Sequence, residues 1–259
     1  MIETDLIPRE ISDSFNSTLR KYNPLEYSIR LTSLLNDIFP MQNFNDYSKF
    51  DLHKLFNDLY VKNYQSEEVL KFKLFEKLED KKDMIGAFEI PVADSRVDFV
   101  TINGKTTSYE IKSAYDNLSK LNKQINDYSK AFEYNYVVLD IKHQIKAEAI
   151  LPKNYGIFIF KNGELIRSRR AILNNGIQSI VQLNLLSKKE LFQGFKTDKI
   201  EYINDKFGAK KINKIFKIIL KNRYQEKWQF LINHQKNILP IDIQFFFKTN
   251  MNPRDIYYH

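Results

Sequence analysis

The chain has 259 residues, 43% of them apolar, which is enough to bury a core in one large domain or two small ones. It has no cysteine and only four histidines, so disulfides and thiolate zinc sites are excluded and a metal would rely mainly on oxygen ligands. The formal net charge is +8, and the basic excess lies in residues 185–259. Such an excess suits nucleic acid or an acidic membrane face, or simply a well-solvated surface.

The N-terminal segment lacks both the positive end and the apolar run of a signal peptide, and no stretch reaches 18 consecutive apolar residues. We therefore expect a soluble cytoplasmic protein without a membrane partner. Residues 1–62 show broken helical patterns and are interpreted as a helical N-terminal extension. A helix is predicted from Ser66, a good N-cap, with Glu67 in the middle of its apolar stripe and Glu68 pointing away from that stripe.

Strand and helix patterns then alternate. Three strands, "AFEIPVA", "RVDFVTI" and "TSYEIKS", come first, and the last two are joined through Asn103-Gly104, a hairpin signal. A helix in "NLSKLNKQINDYSKAF", a strand in "YNYVVLD" and a hairpin in "YGIFIFKNGELIRSRR" follow. This order predicts an α/β fold with a mixed central sheet flanked by helices. We place the core at residues 63–182 and a basic helical region at 183–259.

Charged residues interrupt two of these strands. Alternation places Asp98 on the opposite side of its strand from Val97, and Glu110 and Lys112 on the opposite side of theirs from Ile111. A two-residue turn would pair Asp98 with Tyr109, on the apolar side. A three-residue turn over residues 102–104, with Gly104 in the left-handed position, instead pairs Asp98 with Ser108. We predict the second register, which brings all three charged groups to one face.

Two carboxylates on a partly buried face repel each other and are costly to desolvate, unless a positive charge compensates them. Asp98, Glu110, a backbone carbonyl and water would suit an open Mg²⁺ site, with Lys112 within reach of a bound water or a phosphoryl oxygen. A solvated strand face is the alternative, because the pattern acid-x-Lys recurs at 79–81 and 140–142. The acid on the neighbouring strand and the helix that follows favour the metal site.

These residues resemble the PD-(D/E)xK phosphodiesterase superfamily, which has the restriction-endonuclease-like fold. Within it, residues from about 64 to 160 resemble a family of small, poorly characterised bacterial proteins, through "YQSEEVLK", "SRVDFVTING", "YEIKSAYDNLSKLNKQINDYSKAF" and "YVVL". Val97 stands where the superfamily motif has proline. The resemblance implies that Asp98, Glu110 and the Ile111 carbonyl bind the metal and that Lys112 positions the attacking water and stabilises the transition state.

The resemblance assigns further roles to three residues. Glu67 would complete the metal site through the ion or through water, although an acid also simply favours a helix N-terminus. Gln124 and Tyr128, at i and i+4, would line the site near the substrate phosphate. Tyr128 could instead be a core residue and Gln124 a surface amide.

Basic residues elsewhere are candidates for contact with nucleic acid. Lys120 and Lys123 lie on the helix after the Glu110 strand and could equally form a solvated face. Further candidates are Arg167, Arg169 and Arg170 at a strand end, and Lys210, Lys214, Lys217 and Lys221 on one face of a C-terminal helix. That helix face could follow a phosphate backbone, lie on an anionic membrane, or only be solvated.

The sequence thus leads us to expect a nuclease dependent on Mg²⁺ or Mn²⁺, in which metal-activated water hydrolyses nucleic acid, with DNA favoured over RNA. A catalytically idle nucleic-acid-binding or assembly module with the same fold is the alternative. A second copy of the chain or another protein is left open as a partner. By analogy with the superfamily, we expect a bacterial or phage origin and a role in defence against foreign DNA.

Overall fold

The computed structural model describes residues 13–64 and 66–259, so residues 1–12 of the predicted N-terminal extension lie outside it. In chain order, the described α-helices are α1 (Asp13–Leu19), α2 (Ser28–Ile38), α3 (Lys49–Leu59), α4 (Glu67–Lys77), α5 (Leu121–Ser129), α6 (Gln144–Ile150), α7 (Ser179–Asn184), α8 (Lys188–Phe195), α9 (Ile200–Lys206), α10 (Ala209–His234), α11 (Ile243–Thr249) and α12 (Pro253–Tyr258). A π-helix, Tyr60–Tyr64, follows α3 directly.

Six strands form one sheet whose spatial order is the chain order. They are β1 (Ile85–Val92), β2 (Ser95–Asn103), β3 (Lys105–Lys112), β4 (Tyr134–Asp140), β5 (Gly156–Lys161) and β6 (Glu164–Arg169). The pairs β1–β2, β2–β3 and β5–β6 are antiparallel, whereas β3–β4 and β4–β5 are parallel. The predicted α/β fold with a mixed sheet between helices is confirmed, and the helical character predicted after residue 183 is also found.

Helices cover both faces of the sheet. Helix α5 packs on β2 and β4, on the face that carries Asp98 and Glu110, while α10 and α11 pack against β1. The alternation of β2 and β3 explains the second packing, because Val97, Phe99 and Ile111 all join the apolar cluster that includes Trp228 of α10. Asp98, Glu110 and Lys112 thereby lie on the face opposite Val97, Phe99 and Ile111, and the buried Val100 and Ile102 continue the charged face of β2 as apolar residues.

The main apolar cluster contains residues from 70 to 257 and therefore draws on both sides of the predicted boundary at 182/183. The N-terminal helices form a second cluster, which Val69 of α4 and Ile241 also join. The domain boundaries stay predictions. In the part of the chain that the structure describes, every helix is too short or too polar to cross a membrane.

Candidate active site

The β2–β3 hairpin differs from its predicted register. Asn103 pairs with Lys105, and Val100 pairs with Ser108, so the strands are shifted by two residues and the predicted pairing of Asp98 with Ser108 is wrong. Gly104 has the expected left-handed backbone, with φ +68°. A shift of two residues leaves every side chain on its predicted face, and for that reason the apolar pattern could not detect it.

An acidic residue lies at the same level on each of the first three strands. Glu89 of β1 falls between the pairs Phe88–Phe99 and Ile90–Val97, which places it opposite Asp98. Continued by one residue, the β2–β3 register places Asp98 opposite Glu110. Asp98 is 9% exposed and Glu110 only 1%, and Asp98 Oδ2 accepts a 2.6 Å hydrogen bond from the Ile111 amide. The sheet therefore holds two buried carboxylates side by side.

The chain's own donors occupy both oxygens of Glu110. Lys112 Nζ lies 2.5 Å from Oε1, and the Tyr128 hydroxyl donates to Oε2 at 2.7 Å. Tyr128 is 1% exposed and lies 2.8 Å from the carbonyl of Arg96, so it belongs to the core and also touches the acid. The two interpretations of Tyr128 that the sequence left open therefore do not exclude each other.

Burial governs the titration of these groups. It raises the pKa of Asp98 well above its usual value, helped by the charge of Glu110 and opposed by that of Lys71. Burial also raises the pKa of Glu110, against the effects of Lys112 and Tyr128. Burial alone would lower the pKa of Lys112, but the neighbouring Glu110 reverses this effect and the pKa is raised. The site thus favours a positive charge next to its acids.

A second group of charges lies beside Asp98 and was not predicted. Lys71 of α4 is 3% exposed, and its Nζ lies 2.5 Å from Glu67 Oε1 and 2.6 Å from Glu89 Oε1. Glu89 also pairs with Arg96, and its backbone is left-handed, with φ +59°. One carboxylate oxygen from each of Glu67, Glu89 and Asp98 lies within 4.8 Å of the others. The structure thus groups Glu67 with Asp98, as predicted, but the third carboxylate of this group is Glu89 and not Glu110.

The sequence contained signals for both missed residues. Glu89 is the single acid in "AFEIPVA", the same pattern that singled out Asp98 and Glu110. Lys71 follows Glu67 by four residues and so lies on the same face of α4. Applying the argument from strand alternation to β1, and that from helical spacing to α4, would have identified them.

An open cleft of about 820 Å³ lies over the acids, lined by Glu67, Asp98, Glu110, Ile111 and Lys112 among others. The Gln124 amide lies beside the Tyr128 hydroxyl, and its Oε1 is buried with no hydrogen-bond partner in the described residues. All the ligand atoms offered here, including the Ile111 carbonyl, are oxygens. The donor set therefore fits a hard cation such as Mg²⁺.

The cleft rim carries basic and aromatic groups. Lys120 is exposed on the rim, whereas Lys123 is held by Asp127 at 3.1 Å and Asp94 at 3.4 Å. Tyr115 is 44% exposed and stacks on Tyr64 of the π-helix, with ring centroids 4.3 Å apart. The rim thus offers the exposed ammonium of Lys120 and the ring of Tyr115, one face of which is stacked on Tyr64.

The other predicted basic contacts lie away from the cleft. Arg167 and Arg169 belong to β6 at the far edge of the sheet, and Arg170 directly follows them. Arg169 donates to the carbonyls of Tyr155 and Pro152.

The lysines Lys210, Lys214, Lys217 and Lys221 belong to α10, which packs on the sheet face opposite the acids. The Lys217 side chain is only 18% exposed, and its Nζ lies 2.8 Å from the Gly104 carbonyl and 3.3 Å from Glu133. Lys217 therefore has partners within the chain, and its ammonium is less open to a ligand than the predicted lysine face would require.

Comparison with known proteins places the chain in a family. Among solved structures, the SPO1766 protein of unknown function from Silicibacter pomeroyi is 17% identical, with a TM-score of 0.34 over 43% of this chain and 75% of that one. No curated protein matches. Residues 61–246, well over half of the chain and including β1–β6 and the whole acidic site, match the family of bacteriophage P4 protein cII. The chain therefore belongs to the phage-related family of bacteriophage P4 protein cII.

Proposed function

We propose that the chain is a nuclease dependent on Mg²⁺ or Mn²⁺ that hydrolyses phosphodiester bonds, with DNA as its substrate. The observation that carries the proposal is the adjacent buried pair Asp98 and Glu110, beside Lys112, under an open cleft. Buried carboxylates side by side are expensive to ionise unless a cation joins them. The resemblance to the PD-(D/E)xK superfamily supports the same roles.

Each residue's role follows from its position. Asp98, Glu110 and the Ile111 carbonyl would hold the ion, which supplies Lewis-acid polarisation of the phosphoryl group and activation of water. Lys112 lies at the cleft floor, where its ammonium can orient water and stabilise charge developing on the phosphoryl oxygens. Tyr128 holds Glu110 in place, and the Gln124 amide, which also lines the cleft, lies beside the Tyr128 hydroxyl.

Substrate binding would use the cleft rim. The exposed Lys120 can contact a phosphate, and the open face of Tyr115 can stack on a base. The predicted basic groups of β6 and α10 do not line this cleft, so they are not needed for these two contacts.

One observation favours the alternative, a catalytically idle nucleic-acid-binding or assembly module. The chain already supplies a lysine to three of the four acids, since Lys112 pairs with Glu110 and Lys71 pairs with Glu67 and Glu89. The Tyr128 hydroxyl donates a further hydrogen bond to Glu110. Such internal neutralisation would let the acids persist without a metal.

Cleavage assays separate the two functions. The protein is incubated with labelled single- and double-stranded DNA and RNA in Mg²⁺ or Mn²⁺, alongside Asp98→Asn and Lys112→Met. We expect DNA cleavage, with rates about 10²- to 10⁴-fold lower in the variants. Lys142→Met is the matched control, because Lys142 belongs to the similar tripeptide 140–142 but is exposed outside the cleft. Equal cleavage by all four proteins, or cleavage by none, would remove support for the nuclease.

A further inference from the structure

The ammonium of Lys71 is enclosed by acceptors. A lysine ammonium has three N–H donors and no acceptor. Lys71 Nζ meets Glu67 Oε1 at 2.5 Å, Glu89 Oε1 at 2.6 Å and, from the C-terminal part of the chain, Gln244 Oε1. These three oxygens come from α4, β1 and α11, and they match the three donors in number.

The same carboxylates could form a metal site. Glu67, Glu89 and Asp98 each bring one oxygen within 4.8 Å of the other two. Hard cations bind carboxylate oxygens at about 2.0 to 2.6 Å. The distances from Lys71 Nζ to Glu67 and Glu89 lie at the upper end of this range. An ion that bound Glu67 and Glu89 would therefore have to occupy the volume in which the ammonium lies.

Displacing the ammonium would be costly. Lys71 is 3% exposed, so its charge has no route to water without a rearrangement of α4 or α11. Removing one partner from a buried group of charges leaves the others uncompensated. Gln244 also holds the ammonium in position, because its amide oxygen accepts a hydrogen bond from Lys71 Nζ. This acceptor adds no negative charge to the cluster.

We propose that Lys71 is the resident cation of the Glu67–Glu89–Asp98 cluster and closes it to a divalent ion. Under the proposed function, the site would then take a single divalent ion, at Asp98 and Glu110, with Lys71 in place of a second. The location of that single ion rests on the proposed function. The exclusion of an ion by Lys71 does not.

Counting bound Mn²⁺ tests the inference directly. Equilibrium Mn²⁺ binding, followed by electron paramagnetic resonance of the free ion, is measured for the wild type, Lys71→Met and Lys73→Met. Lys73 is the matched control, because it belongs to the same helix but is one-third exposed and pairs with the exposed Glu76 at 3.0 Å. We expect Lys71→Met to bind one more Mn²⁺ per chain than the wild type, and Lys73→Met to bind the same number as the wild type. The double variant Lys71→Met/Glu89→Gln should lose the added ion.

An unchanged Mn²⁺ count in Lys71→Met would overturn the inference, and so would an added ion that persists when Glu89 is replaced. If Lys71→Met is unfolded without metal, its thermal unfolding is measured in Mn²⁺ as well. We expect Mn²⁺ to restore its folding, because the ion would replace the missing positive charge. A Lys71→Met chain that stays unfolded in saturating Mn²⁺ would also overturn the inference. If the wild type binds no ion and Lys71→Met binds one, the role of Lys71 stands while the proposed nuclease fails.

Discussion

A buried acid outside the candidate site gives the sharpest prediction of stability. Asp242 is 1% exposed, and its Oδ2 accepts hydrogen bonds from Tyr257 at 2.8 Å and Tyr22 at 3.0 Å. Tyr22 also contacts His53 Nδ1 at 2.9 Å, so the acid links the N-terminal helices to the C-terminal ones. We consider Asp242→Asn, which keeps the shape of the side chain and an oxygen acceptor but removes the charge.

The size of the effect follows from the pKa. Burial raises the pKa of Asp242 from 3.8 to about 7, against the effects of both tyrosine hydroxyls. A raised pKa means that the folded state binds the proton more tightly than the unfolded state, so the wild type loses stability as pH rises toward about 7. At pH 5, about two units below the folded-state pKa, the bound proton contributes about 2.7 kcal/mol, and at pH 8 almost nothing.

The asparagine variant has no such proton. We therefore expect its free energy of unfolding, relative to that of the wild type, to rise by about 2.7 kcal/mol between pH 5 and pH 8. His53, whose pKa burial lowers to about 4, contributes the opposite slope between about pH 4 and 6.5. It is present in both proteins and cancels in the difference, which is why the comparison is made with the variant and not on the wild type alone.

Urea unfolding at the two pH values measures the difference. Asp46→Asn removes the charge of an exposed aspartate and is the matched control for the substitution itself. If the Asp242→Asn and wild-type stabilities run parallel from pH 5 to pH 8, the carboxyl is not held protonated by burial and the reasoning is refuted.

Three further predictions concern the sheet and the cleft. In Gly86→Ala, the new Cβ would lie 2.3 Å from the Trp228 ring. We therefore expect the unfolding free energy to fall by about 1–3 kcal/mol, and an unchanged urea midpoint would contradict this packing. Tyr128→Phe removes a donor from the buried Glu110, and we expect a loss of about 1.5–3 kcal/mol in urea unfolding at pH 8, against no loss if the ring only fills space. Tyr115→Ala should weaken single-stranded DNA binding by about 1–3 kcal/mol in fluorescence anisotropy, whereas equal affinities would exclude stacking at this ring.

The elements of the core could be predicted because local patterns determine them. Strand β4 was predicted at 134–140 and found as Tyr134–Asp140, bounded by the same residues. Helix α5 was predicted from 117 but begins at Leu121, because the Asn117 side chain accepts a hydrogen bond from the Ser119 amide and forms a turn first. Competition of this kind between side chain and backbone is not visible in apolar spacing.

Strand alternation predicted the hairpin part of the site, whereas Glu67, Gln124 and Tyr128 were predicted only through the resemblance. Asp98, Glu110 and Lys112 share a face because strand parity survives a two-residue shift in pairing. The contact of Lys71 with Gln244 joins residues far apart in the chain, and no local pattern could indicate it. The left-handed backbone at Glu89 is likewise imposed by the tertiary structure, since the surrounding "AFEIPVA" has an ordinary strand pattern.

The position of α10 has a consequence for how the protein is made. The apolar face of β2 and β3 is covered by a helix that begins nearly a hundred residues after β3 ends. On the ribosome, a translated hairpin must therefore wait with Phe99 and its neighbours exposed until that helix has emerged. Synthesis passes through a stage at which this surface is open to chaperones and to aggregation, and slow translation between residues 112 and 234 would prolong it.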